Sequence, residues 1–136
     1  MRPALLLLLA LPVLSACATT PPPTAASPLV GPEWRLEDLL GGGIIDNSHV
    51  TLTLAEDGRL SGSGGCNGFF GAWTKAAGGK LALGKMGATM KACAPALMHQ
   101  EGKYLRALET ASAYSFTPDG ALLVTTAQGP LTFRKD

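Results

Sequence analysis

The stretch from which the fold can be read is residues 49–63, His-Val-Thr-Leu-Thr-Leu-Ala-Glu-Asp-Gly-Arg-Leu-Ser-Gly-Ser. Val50, Leu52 and Leu54 alternate with Thr51 and Thr53, so an extended segment here has one apolar and one polar face. Asp57-Gly58 interrupts the alternation, and residues 59–63 resume an extended run. An Asx-Gly pair supplies the positive φ that a tight hairpin turn requires, so this unit is a β-hairpin. The same pattern recurs on the C-terminal side. Gly78-Gly79 separates 69–75 from 80–83, Asp119-Gly120 separates 113–117 from 121–126, and Gln128-Gly129 precedes 130–134. Tyr114 with Phe116, and Leu131 with Phe133, repeat the two-residue period, while Trp34 and Leu36 mark an opening strand. About eight short antiparallel strands are expected, curled into a barrel-like sheet.

One segment changes period. Between residues 94 and 111 the apolar residues Leu97, Tyr104, Leu105, Leu108 and Ala111 fall on one helical stripe, with Pro95 suited to the first turn. His99, Lys103, Arg106 and Glu109 face away. The expected class is therefore α+β: mostly antiparallel β with one packed α-helix. Glu101 departs from that division, because it projects into the middle of the apolar stripe. A carboxylate there must be hydrogen-bonded, paired or protonated. The structural reading has Glu101 tying the helix to backbone N–H groups of a neighbouring loop. The chemical reading makes it a general acid or base in a cleft. The structural reading is preferred, because no second carboxylate or nucleophile is visibly placed to partner it.

Residues 1–16 read as an export signal: Arg2 is followed by an apolar run from 4 to 13, interrupted only by Pro12. A membrane-spanning helix needs ~20 apolar residues, more than this run supplies. Leu14-Ser15-Ala16-Cys17 resembles the bacterial lipobox, which implies lipid attachment at Cys17 and cleavage just before it. Two or more acyl chains anchor firmly where one is marginal. Residues 17–32, rich in Pro, Thr, Ala and Ser, form a lipid-anchored tether that at ~3.1 Å per residue reaches roughly 40 Å. Residues 33–136 form the single domain. The expected location is the outer membrane facing the periplasm, since Ala18 is not the aspartate that retains many lipoproteins at the inner membrane of enteric bacteria.

The chain carries 11 Lys+Arg against 10 Asp+Glu, and losing Arg2 with the signal balances them. A near-neutral domain lacks the electrostatic footprint of nucleic-acid binding, and a monomer is expected. Of three cysteines, Cys17 is assigned to lipid, leaving Cys66 and Cys93 as an even pair in an oxidising compartment. A disulfide is the default, stabilising by ~3.5 kcal/mol in the chain-entropy model. Two free buried thiols, or a redox pair without Cys-x-x-Cys spacing, are the rivals. His49 and His99 show no ligand spacing with either cysteine, so neither a metal nor a cofactor is expected.

The run Gly62-Ser63-Gly64-Gly65-Cys66-Asn67-Gly68-Phe69 followed by Gly71, together with Thr89-Met90-Lys91-Ala92-Cys93, resembles the signature of the META/HslJ family, as do Glu101, Leu105 and Leu108 on the helix. The resemblance marks Gly65, Asn67, Gly71, Thr89 and Glu101 as structural motif positions. It implies a small β-rich domain with a helix, often on exported lipoproteins, linked to heat shock, stress or antibiotic tolerance. The residues themselves support bends or bulges at the glycines and a turn closed by Asn67. A phosphate loop is not indicated, because no Gly-Lys-Ser/Thr ending and no following helix appear.

The expected function is a non-enzymatic envelope lipoprotein acting as a stress-related binding or scaffolding module, its partner an envelope protein or apolar ligand. Two other classes are carried forward. A carrier or chaperone would hold a lipid or apolar segment in a dry cavity lined by residues such as Leu52, Phe69, Leu105 and Phe133. A hydrolase would use Glu101, or a set drawn from His49, Asp46 and Ser63.

Overall fold

A computed structural model of the chain describes residues 29–136. The expected signal segment, Cys17 and tether residues 18–28 lie outside the described residues. Among the described residues, nine strands and one helix follow in the order β1 (Glu33–Leu39), β2 (Thr51–Leu54), β3 (Arg59–Ser63), β4 (Gly68–Ala76), β5 (Lys80–Leu83), β6 (Gly87–Ala88), α1 (Pro95–Leu108), β7 (Ala113–Phe116), β8 (Leu122–Thr126) and β9 (Gly129–Lys135). All pairings are antiparallel, in the order β3-β2-β1-β9-β8-β7-β5-β4, and β3 pairs again with β4 to close a ring. The fold is the α+β, barrel-like sheet with a packed helix that the residue pattern indicates.

The strand count exceeds the expected eight by one. β6 is only two residues long, Gly87 and Ala88 lying opposite Phe70 and Phe69 of β4, too short to carry a period. The hairpin turns also differ in kind. In both Asp-Gly hairpins the loop has three residues: Ala55 N donates to Arg59 O and Thr117 N to Ala121 O. Only the glycine of each adopts positive φ, 82° at Gly58 and 86° at Gly120, while neither aspartate does. This is a type I turn closed by a left-handed glycine, which widens the loop by one residue relative to a two-residue turn.

The domain starts earlier than residue 33. Leu29 is fully buried, its carbonyl accepts the Trp34 indole N–H at 3.0 Å, and Gly31 N donates to Leu54 O. Leu29, assigned to the tether, therefore belongs to the core, and Val30 packs partly buried against it. Inside the ring sit Leu36, Leu52, Leu60, Phe69, Leu122, Val124, Leu131 and Phe133. Thr51, on the polar face of its strand, is nevertheless buried, where Ser63 N donates to its hydroxyl and Tyr104 to its carbonyl.

Tyr104 locates the helix. Its ring lies 5.8 Å from that of Phe69 on β4 and 6.3 Å from that of Phe133 on β9, while its hydroxyl reaches β2. These strands are spread around the ring, so α1 occupies its mouth. The buried face is Gln100, Glu101, Tyr104, Ala107 and Leu108. Leu105, expected on the apolar stripe, is only half-buried. Polar backbone lines the mouth, and polar side chains therefore turn inward there.

Candidate functional site

The signature turn is built by its own short-range bonds. Gly64 N donates to Asn67 O at 2.8 Å, and Ser63 Oγ accepts the Gly65 N–H. This aims the backbone N–H groups of Cys66 and Asn67 at α1. Glu101 Oε2 accepts both, at 3.1 and 2.6 Å, and its Oε1 accepts the Asn67 side-chain amide at 2.7 Å. Asn67 in turn uses Oδ1 to accept the Thr89 hydroxyl at 2.9 Å and Lys91 N at 2.6 Å. Its amide group also reaches Lys91 O. A disulfide joins Cys66 to Cys93 beside this network. Glu101, Asn67 and Cys66 are 8%, 6% and 7% exposed, so the junction is sealed from solvent.

The close approach of helix and turn explains Gly64. A Cβ there would lie 2.5 Å from Glu101 Cγ and 2.6 Å from Oε2, and the carboxylate cannot step aside without breaking its bonds. Gly65 sits in the same turn at φ 104°. Gly71 stands apart, in β4 opposite Leu60, where an added Cβ would crowd the Lys85 carbonyl. The structure thus brings Gly65, Cys66, Asn67, Thr89, Cys93 and Glu101 together and leaves Gly71 outside.

Two other helix side chains, and that of Glu109 just after the helix, do similar work. Gln100 accepts Ile45 N at 2.7 Å and donates to Ser48 Oγ at 3.0 Å, Tyr104 donates to Thr51 O at 3.1 Å, and Glu109 accepts Met86 N at 3.2 Å. The buried helix face fastens three separate segments, and the residue that caps the helix fastens a fourth. Gln100 escapes a hydropathy reading because it is polar, yet it lies one turn before Tyr104 and so shares its face.

As chemistry, the junction is closed. Both carboxylate oxygens of Glu101 are occupied by three donors. His49 and Asp46 line a surface cleft with Arg35 and Glu37, but Ser63 is not among its lining residues and its hydroxyl serves Gly65. Among the described residues, no group of three or more His, Cys, Asp or Glu side chains is placed to hold a metal ion.

Burial pushes the Tyr104 hydroxyl well above the usual phenol range. An unfolded tyrosine ionises near ~10, so above that pH the unfolded chain binds fewer protons than the folded one and stability falls as pH rises. Below it the contribution is fully present. Tyr104→Phe is expected to cost about 1 kcal/mol at neutral pH, from the lost bond to Thr51 O. It should also remove part of the alkaline loss, which urea unfolding on either side of the phenol range would measure.

A family model described as the META domain matches residues 27–136. The chain belongs to the META domain family. The match begins close to Leu29, where the core begins, and takes in the whole ring and helix. Among solved structures, the META domain of this chain resembles an NMR structure of a protein from Burkholderia xenovorans, with 25% identity, TM-score 0.62, and 88% of this chain and 98% of that one covered. A second NMR structure is 26% identical with TM-score 0.60, covering 76% and 87%. A crystal structure of a DUF4847 family protein from Bacteroides vulgatus shares the fold at 14% identity and TM-score 0.56, covering 77% and 92%. A comparison with curated proteins found no match. The motif positions Gly65, Asn67, Thr89 and Glu101 are, in this META domain, the parts of one junction between turn, helix and the segment that follows β6.

Proposed function

We propose that the chain is a non-enzymatic envelope lipoprotein, held through acyl chains on Cys17 at the outer membrane facing the periplasm. Its META domain acts there as a binding or scaffolding module in the response to heat shock or antibiotics. The observation that carries this reading is Glu101. A general acid or base must reach a substrate proton within hydrogen-bond distance. Glu101 is buried, and both its oxygens already hold the signature turn. The residue with the most chemical promise in the sequence is thus a structural one. A carrier working inside the barrel is less well supported, since Leu52, Phe69 and Phe133 are buried in one core with Tyr104.

Anchoring is tested by Cys17→Ser. The variant is expected to lose palmitate labelling and to leave the membrane fraction, and unchanged labelling and fractionation would defeat the anchored reading. The stress role is tested by deleting the gene. Survival under heat or cell-wall antibiotics should fall and be restored by the wild-type chain but not by Cys17→Ser. Equal survival with and without the gene would remove the stress assignment.

A further inference from the structure

We propose that the groove between the β1–β2 loop and α1 binds a single-chain amphiphile, an aliphatic tail carrying an anionic head. This rests on the membrane-tethered, non-enzymatic reading and names a ligand class for it. The groove has a volume of about 410 Å³, at the small end of ligand sites. Leu39, Ile44, Ile45 and Ala96 supply apolar wall, and His99 and Lys103 stand among the lining residues on the helix side. Ile45 is 41% exposed, a large apolar side chain without full cover.

The groove is built rather than slack. Gln100 clamps the loop to the helix by its bonds to Ile45 N and Ser48 Oγ. Asp38 holds the loop from the other end, accepting Gly41 N at 2.6 Å and Gly43 N at 2.8 Å. Leu40 enters the loop at φ 58°, a conformation disfavoured for any residue with a Cβ and kept only where the surroundings enforce it. Its N–H donates to Pro130 O.

Two observations choose the occupant. The first is charge: no carboxylate is among the lining residues, and Lys103 forms no ion pair among the described residues. An anionic head meets a cation there and no acid in the wall. The second is the loop backbone. The N–H groups of Leu40, Gly41, Gly42, Gly43, Ile45 and Ser48 all have partners already. Of the four loop N–H groups in the groove wall, only that of Ile44 is without a partner among the described residues, so an extended peptide would find no ladder of donors here, whereas an alkyl tail requires none.

The test uses the full chain carrying Cys17→Ser, so that the anchor's own acyl chains cannot fill the groove. Dodecyl phosphate is titrated below its micelle concentration while the methyl resonances of Ile44 and Ile45 are followed. A saturable shift is expected, absent with inorganic phosphate at the same concentrations. Dodecyltrimethylammonium should bind about tenfold more weakly, and Lys103→Glu should weaken dodecyl phosphate by about tenfold. Ile45→Asp should do the same, and Lys80→Glu on β5 should change nothing. No saturable shift, equal affinity for the two head charges, or unchanged affinity in Lys103→Glu would overturn the proposal. Tighter binding of an apolar peptide with a free carboxylate would overturn its ligand class. Release of phosphate from the probe would instead overturn the non-enzymatic reading and leave the groove assignment standing.

Discussion

Glu101→Ala is expected to lower folding stability by about 3–5 kcal/mol at neutral pH, near the upper end for a single substitution. The truncation strands Cys66 N, Asn67 N and the Asn67 amide, all of which donate to the carboxylate in a junction sealed from solvent. A buried donor left without an acceptor costs ~1–3 kcal/mol, and water entering beside Gly64 would offset part of the sum. Glu101→Gln separates acceptor chemistry from volume. Its single carbonyl oxygen can serve the two backbone N–H groups, but its NH₂ then faces the Asn67 amide, donor against donor. Asn67 cannot rotate to relieve this, because its Oδ1 already accepts Thr89 Oγ1 and Lys91 N. About 2 kcal/mol or more should therefore be lost even by the isosteric change. Urea unfolding of the three proteins decides it. Losses under about 1 kcal/mol in both variants would return Glu101 to the functional candidates.

That junction was half legible in the sequence. Glu101 stands out because a carboxylate on an apolar stripe demands partners, and the hydropathy pattern is local enough to show it. The partners are not local: Asn67 lies 34 residues away, and its side chain reads as a turn-former until the fold brings it beside the helix. Gln100 was invisible for the converse reason, a polar residue that looks like surface and is buried. The hairpins were legible because Gly58 and Gly120 mark turns within a few residues of alternating strands. Which strands become neighbours in the barrel was not, since the β1–β9 pairing joins Leu36 to Phe133 across nearly the whole domain and no local period encodes it. Leu29 hid in a Pro/Thr-rich neighbourhood, and only its contact with Trp34 reveals it as core.

Replacing both Cys66 and Cys93 by alanine is expected to destabilise the domain by about 3.5 kcal/mol, the chain-entropy value for a bond spanning 27 residues. The closed loop contains β4, β5 and β6, so the bond restricts in the unfolded chain the segment that must find β3 and β7. The native junction retains Asn67's bonds to Thr89 and Lys91, so the ring should still form without the disulfide. The two devices hold the same pair of segments, the turn at 64–67 and the chain at 89–93, and residues sharing a network are not expected to be additive. Adding Glu101→Ala to the cysteine-free protein also frees the turn from the helix; the simple sum of the two losses is about 7 kcal/mol, and the departure from it measures their coupling. The sum is comparable to the ~5–15 kcal/mol total of a typical domain, so the triple variant should be largely unfolded near room temperature. Circular dichroism and urea midpoints with and without reductant test the series. A wild-type domain with the same urea midpoint in the presence of a reductant shown by thiol alkylation to have opened the bond would mean that the Cys66–Cys93 disulfide contributes nothing to holding this fold together.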